Sequence, residues 1–324
     1  APAFATVDVG GYNYQWQQYE SDHESYPERI MYGSESVAGQ AFDYWQQVEQ
    51  HDYVIGDFLW TGMDYLGESG IGRSIAVEDT SAEQPFHMPW PWYVSWCGDI
   101  DITGCKKPQS FYRDVLWGRS DIELLVHEPV PEEKTEMTSF WGWPAEYKSW
   151  NWEQSIRDSL QVSVYSTCDS VRLLLNDNIL AAKSPDEYLR AQFYIRYEPG
   201  TLRAEGLKNG NWVSDELVTA GPAAGIELKA EQSVINAGHH SIAFVTVRAV
   251  DKSGQPIPEP EQDIVFDVSG PADIIACGNA SPLISGSLQD NRLTTYNGKG
   301  LVVLRSTGEP GLVTLTAHSN NMRS

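Results

Sequence analysis

Among the side chains of the first seventy residues, Tyr14, Glu35, Trp60, Asp64 and Glu68 stand where nucleophilic or proton-transfer chemistry, or the holding of a ring, could be done. Glu35 lies in IMYGSESVAG, residues 30–39, between two serines and directly after an apolar run. YPERIMYG reads as a short buried strand, entered at Pro27, filled by Ile30, Met31 and Tyr32 and closed by Gly33, which would leave Glu35 on the following loop. Most loop glutamates are merely solvated. Taken singly, Tyr14 and Trp60 read as core residues at strand ends, and Asp64 and Glu68 as ion-pair or hydrogen-bond partners. Together, a carboxylate, a phenol and an indole are the components of a sugar site. The carboxylate attacks or stabilises an anomeric centre, the phenol positions it, and the aromatic face stacks on the ring.

Such a set needs strands that end at one rim. FATVDVGGYNY reads as a buried strand, YESDHESYPE as a polar, helix-compatible stretch, and RIMYG as a second strand. AGQAFDYWQQVEQH places Ala41, Tyr44, Trp45 and Val48 at i, i+3, i+4 and i+7, an amphipathic helix, and VIGDFLWTG is a third strand. This rhythm is that of a parallel sheet with crossover helices. The strands end in GYNY, YGSES and FLWTGMDYLGE, so the five candidates share one rim. In a (β/α)8 barrel, active sites lie at that C-terminal face.

Farther along, the pattern changes. Eleven of the twelve tryptophans lie between Trp16 and Trp152, with Trp212 alone beyond. HEPVPEEKTE, residues 127–136, reads as a linker or extended edge. From Leu160 onward, alternation takes over in LQVSVYS, SVRLLLN and QFYIRYEPG, and the Asn-Gly of KNGN favours a hairpin. GPAAG, residues 221–225, marks a boundary, after which SIAFVTVRAV, DIVFDVSG, KGLVVLRST and GLVTLTAHS alternate again. Two antiparallel sandwiches of immunoglobulin-like scale fit these runs.

The bulk composition narrows the partners. At 324 residues with 41% hydrophobic content, two or three domains are expected. No apolar run is long enough for a membrane-spanning helix. A net charge of −23 argues against nucleic acid and anionic membranes as partners. Cys97, Cys105, Cys168 and Cys277 match no zinc template; Cys97 and Cys105 are either a local disulfide or two thiols. The sequence begins APAFATVDVG, without an initiator Met or a signal peptide, which leaves export open.

DVGGYNY, YPERIMYGSESV, VIGDFLWTGMDYLGE and WCGDIDITGCKKPQSFYRDVLWG together resemble the C-terminal part of the catalytic barrel of glycoside hydrolase family 2. WGWPAEYKSW, CDSVRLLLNDNIL and YEPGTLRAEGLKNG resemble the β-sandwich that follows it, and VTVRAVDKSGQPIPEPEQDIVFDVSGPADIIACGNASP resembles a further immunoglobulin-like module. The resemblance implies a mixed fold: barrel strands six to eight over residues 1–126, a β-sandwich over 127–222 and a second sandwich over 223–324. It implies a retaining mechanism, with Glu35 as nucleophile, Tyr14 in contact with it, and Trp60 and Asp64 binding the sugar. No organic cofactor is implied, though a monovalent or divalent cation would be compatible with the whole enzyme's site. The expected substrate is a β-galactoside or oligosaccharide, the expected location periplasmic or secreted in a bacterium, and a homo-oligomer would fit.

The departures are also specific. The family's acid/base is the Glu of an Asn-Glu pair, and no Asn-Glu dipeptide occurs here. The chain is therefore expected to be inactive alone, as a portion of a longer enzyme. Family members acting on glucuronides carry an Asn-x-Lys clamp beyond the eighth strand; GESGIGRSIAVEDT has none, which favours galactosides. Some galactosidases place a His three residues after the nucleophile, where Ala38 stands. The alternative is a non-catalytic module that binds carbohydrate or serves as a structural spacer.

Overall fold

The computed structural model describes residues 2–81, 84–153, 159–258, 261–284, 286–319 and 322–323. The N-terminal unit runs β1 (Val9–Asn13), α1 (Tyr19–Ser25), β2 (Ile30–Ser36), α2 (Ala41–Gln50) and β3 (Val54–Leu59). Its three strands form one sheet in the order β1-β2-β3, both pairings parallel. The apolar stripe of α2 is what holds it to the sheet, with Ala41 and Tyr44 buried and Trp45 and Val48 half-buried. Tyr12, Tyr19, Met31 and Val54 form a small core beneath.

β2 does not stop at Gly33. It continues to Ser36, so Glu35 is a strand residue rather than a loop residue. Gly33 is needed for proximity: a Cβ there would lie 3.0 Å from Cβ of Asp57 and 3.1 Å from the hydroxyl of Tyr19. β1 and β3 form the outer edges, and Ile55 and Phe58 on β3 are exposed.

A long loop follows, its described residues carrying β4 (Ser74–Val77) before α3 (Pro108–Leu116). Pro108 opens α3 where a missing N–H costs nothing. Within the loop, residues 61–67 lie along 93–100: Asp99 N–H donates to Thr61 O and Ser95 N–H to Tyr65 O, both at 2.9 Å.

The remainder is β-structure. β5 (Ile122–His127), β6 (Thr135–Thr138) and β7 (Glu146–Tyr147) precede β8 (Ser159–Ser166), β9 (Ser170–Leu175), β10 (Asn178–Lys183), β11 (Arg190–Arg196), β12 (Thr201–Lys208) and β13 (Asn211–Val218). Two four-stranded sheets, β11-β8-β5-β7 and β10-β9-β12-β13, enclose Trp150, Val162, Val164, Leu173, Phe193 and Leu202. The KNGN hairpin forms as its Asn-Gly requires, with φ of 51° at Asn209 and 81° at Gly210. β4 pairs with β6 as a separate two-stranded ribbon.

The second sandwich is built from β14 (Gly225–Ala230), β15 (Ile242–Val250), β16 (Asp263–Ser269), β17 (Ala272–Gly278), β18 (Arg292–Thr294), β19 (Lys299–Ser306), β20 (Thr314–Ser319) and β21 (Met322–Arg323). Its sheets are β14-β15-β19-β17 and β18-β16-β20-β21, around Val247, Phe266, Val302 and Ala317. It reaches back to the long loop: Tyr93 N–H donates to Pro282 O and Ile284 N–H to Pro91 O, each at 3.1 Å.

A boundary at residues 126/127 is corrected by β5. Its IELLVH run is buried on both faces: Leu124 and Val126 enter the first sandwich, whereas Leu125 faces the other way. That sandwich therefore begins near Ile122. HEPVPEEKTE is not a free linker either, since His127 ends β5 and Thr135 and Glu136 begin β6.

Leu125 joins Ala38, Ala41, Tyr112, Val115, Trp143 and Tyr165 in a seam between the parallel unit, α3 and the sandwich. Leu125→Ala should cost about 2–5 kcal/mol, because packed elements surround the cavity it leaves. Thermal unfolding checks this, and a loss below about 1 kcal/mol would show that the seam relaxes to fill the gap.

Candidate active site

The strand ends are laced together where regular pairing stops. The register of β1 on β2 slips between Tyr12 and Asn13, placing Asn13 opposite Glu35. Such a bulge re-aims the side chains beyond it. Tyr14 then adopts a left-handed backbone, φ 53°, and its N–H donates to the carbonyl of Glu35 at 3.0 Å. Trp60 N–H donates to the carbonyl of Ser36 at 2.9 Å. Tyr14, Glu35 and Trp60 are thereby brought to one rim. Below it, the Ser36 hydroxyl donates to Asp57 at 2.5 Å.

The indole N–H of Trp141 donates to the Tyr14 phenol oxygen at 2.9 Å, and the Glu35 carboxylate lies close enough to bear on the phenol's ionisation. Burial first, and Glu35 second, raise the phenol well above its ordinary pKa, while Trp141 acts in the opposite sense. Tyr14 therefore keeps its phenolic proton throughout the neutral range. Trp60 is half-buried, its ring edge-to-face with Tyr65 at 6.0 Å. Glu68, exposed, accepts the Tyr65 hydroxyl.

Asp64 is not offered to a ligand. It is 4% exposed; Lys107 Nζ reaches its oxygens at 2.9 and 3.1 Å, and Gly98 N–H donates to it at 2.7 Å. Burial pushes its carboxyl up to about 6 against the pull of Lys107. The expectation that Asp64 binds substrate is corrected: the loop after β3 folds back along 93–100 and turns this carboxylate inward. There it anchors the loop that follows Trp60.

Two partners escaped the sequence reading. Trp141 lies in the FWGW stretch beyond β6, and only the three-dimensional approach of that ribbon to β1 links it to Tyr14. Lys107 precedes a helix-opening proline, a position that gives no hint of its buried carboxylate. Aromatic contacts continue outward from the site. Tyr14 meets Phe140 at 5.7 Å, Phe140 meets Trp141 at 5.1 Å, and Trp141 meets Phe86 at 5.6 Å.

Among the described residues, no group of three or more His, Cys, Asp or Glu side chains is placed to hold a metal. All four cysteines are thiols, so Cys97 and Cys105 are not bridged. On β13, Trp212 is exposed, but the Arg172 guanidinium lies 4.0 Å above its ring, covering a face that a sugar would use.

Comparisons with known proteins place the chain among glycosidases by similarity. Residues 226–324 match the model described as glycoside hydrolase family 2 C-terminal domain 5, and residues 158–214 match a domain of unknown function, DUF4982. A solved glycosyl hydrolase family 2 member from Bacteroides cellulosilyticus superposes with a TM-score of 0.89 at 33% identity, over 98% of this chain and 41% of that one. The chain is thus similar to a C-terminal portion of a glycoside hydrolase family 2 enzyme. A curated β-galactosidase of Bacteroides ovatus, BoGH2A, is 27% identical over 278 residues, covering 85% of this chain and 28% of its own length. A putative β-glucuronidase of Formosa agariphila is 25% identical over 289 residues, covering 86% of this chain and 24% of its own length. The chain thus spans roughly a quarter of these curated relatives.

The ribbon that delivers Trp141 has its own anchor. Glu136 on β6 accepts from Ser74 Oγ at 2.7 Å and Ala145 N–H at 2.8 Å, and pairs with His127 Nε2 at 2.8 Å. Burial would raise Glu136, but His127, the Ala145 amide and the Ser74 hydroxyl outweigh it and hold the carboxyl at about 2. Burial would lower His127, but Glu136 outweighs it and raises the imidazole. The lowered Glu136 contributes stability above its ordinary 4.5, lost as pH falls toward 2; the raised His127 contributes below its ordinary 6.5, lost as pH climbs through its folded value. Stability from the pair should therefore peak between pH 4.5 and 6.5 and decline on the alkaline side. A pH series of thermal unfolding should show that decline, and Glu136→Gln should flatten it. An equal decline in the variant would assign it to other groups.

Proposed function

We propose that this chain is the nucleophile-bearing part of a retaining glycoside hydrolase of β-galactosidase type, with β1 to β3 serving as the last three strands of a (β/α)8 barrel. The observation that carries the reading is the joining of the strand ends that bear Tyr14 and Glu35, through Tyr14 N–H to the Glu35 carbonyl at 3.0 Å. Two parallel pairings with intervening helices support the barrel assignment.

Glu35 would attack the anomeric carbon and form a glycosyl ester as the leaving oxygen takes a proton from a separate acid. Trp141 polarises the Tyr14 phenol, which strengthens its donation to Glu35. In the second half-reaction the separate acid, now deprotonated, takes a proton from water as the water attacks the same carbon, and Glu35 departs as a carboxylate. The returning Tyr14 hydrogen bond stabilises that departing charge. Trp60 supplies an aromatic face for the ring. The galactoside assignment draws on the missing Asn-x-Lys clamp and on the name of the Bacteroides ovatus relative. The Asn-x-Lys at 297–299 is turn chemistry, with positive φ at Asn297 and Gly298.

In the full-length enzyme, a 2-fluoro-β-galactoside should label Glu35, and Glu35→Gln should lower turnover by several orders of magnitude without unfolding. Peptide mapping that finds the label on Asp64 or Glu68 would sink the assignment.

Residues 1–324 alone should show no turnover of aryl β-galactoside above buffer. With no Asn-Glu pair in the chain, the lost proton donation alone is commonly worth a factor of about 10²–10⁴. Turnover that disappears in Glu35→Gln would mean that another carboxylate, from this chain or a second copy, completes the site.

A further inference from the structure

β2 is irregular just where it delivers Glu35. Tyr12 of β1 lies opposite Gly33 and Asn13 opposite Glu35, so β2 takes two steps where β1 takes one, with Ser34 the extra residue. On the other side Gly33 pairs with Asp57 and Ser36 with Leu59, three steps against two. Both neighbouring strands therefore meet one extra residue between Gly33 and Ser36.

That residue decides which way Glu35 points. Side chains alternate along a strand. Met31 packs in the small core with Tyr19 and Val54, and a Cβ on Gly33 would meet the Tyr19 hydroxyl at 3.1 Å and Asp57 Cβ at 3.0 Å. Unbroken alternation would send Glu35 to this same inner face. The extra residue gives the inner place to Ser36 instead, 0% exposed, whose hydroxyl donates to Asp57 at 2.5 Å. Glu35, one residue earlier, is thereby turned to the opposite face.

Asp57 favours this register in two ways. It accepts the Ser36 hydroxyl across a stretch where ladder pairing is interrupted. It also opposes the other register, which would bury a second carboxylate, that of Glu35, against it. Nearby Tyr19 and Tyr44 bring no compensating cation: burial first, with the Asp57 charge among the lesser causes, raises both phenols, so they stay neutral.

We propose that Ser36 and Asp57 are positioning residues for the nucleophile, holding the extra residue of β2 in place and so keeping Glu35 turned to the rim. The proposal rests on the reading of Glu35 as nucleophile.

The test uses the full-length protein and the rate at which a 2-fluoro-β-galactoside labels Glu35, followed against concentration. Ser36→Ala should lower the maximal labelling rate about tenfold to a hundredfold, as for a nucleophile held out of line. The concentration giving half that rate should stay within about twofold, because sugar binding is untouched. Asp57→Asn, which keeps the shape but not the charge, should act in the same direction. The double variant should be no slower than Ser36→Ala, since the two residues act as one unit. Ser36→Thr, which keeps the hydroxyl, should label close to the wild-type rate. A purely structural pair would lower the thermal midpoint and leave the maximal rate of the folded protein unchanged, and that result would overturn the proposal. So would additive losses in the double variant, or a loss confined to the half-saturating concentration. If the wild type is labelled at a residue other than Glu35, the nucleophile reading fails and the proposal with it. If Glu35 is labelled equally fast in the wild type and in Ser36→Ala, the proposal alone fails.

Discussion

The backbone N–H of Tyr14 donates to the carbonyl of Glu35, and that of Trp60 to the carbonyl of Ser36, just past the regular ends of three parallel strands. A buried amide left without a partner costs about 1–3 kcal/mol, so these two bonds fix where each strand stops as well as how it pairs. Tyr14 can make its bond only in a left-handed conformation that a tyrosine adopts seldom, with φ at 53°. That backbone choice swings the phenol toward Glu35. The rim thus owes its geometry to main-chain hydrogen bonding, and the side-chain chemistry follows from it.

Behind the rim, the loop after β3 has little regular structure and relies on a buried charge pair. Asp64 and Lys107 sit 43 residues apart in sequence, both almost wholly buried, with the Gly98 amide as a third partner. Removing one member of such a pair leaves the other charged in a dry interior, commonly at a cost of about 3–5 kcal/mol. The pair therefore acts as a locator: the loop closes correctly or not at all. Gly98 is part of the same device, since a Cβ there would come within 2.1 Å of the Asp64 nitrogen.

Much of this was legible in the sequence because it is local. The apolar spacing of α2, the alternation in β8, β9 and β11 and the Asn-Gly hairpin each depend on neighbours a few residues away. Tyr14, Glu35 and Trp60 could be grouped because parallel strands place their C-terminal ends together. What stayed hidden depends on distant pairing. Gly33 looked like a strand terminator, because a glycine required by a close-packed neighbour reads the same as one required by a turn. β5 was assigned to the wrong unit because a strand buried on both faces does not reveal which side is its sandwich. Asp64 read as a rim residue until its loop folded back on residues 93–100.

Of the two readings of the later modules, carbohydrate binder and structural spacer, the contacts they make favour the second. Trp141, which grips Tyr14 from 127 residues downstream, rides on a ribbon of β4 and β6 that Glu136 ties to His127 at the end of β5. β5 in turn is a central strand of the first sandwich and carries Leu125 into the seam against α2 and α3. The second sandwich acts at longer range, pairing Pro282 and Ile284 with the loop that presents Phe86. By fixing Trp141 and residues 91–93, they hold the indole that donates to the Tyr14 phenol, and in that sense the spacer bears on the candidate site.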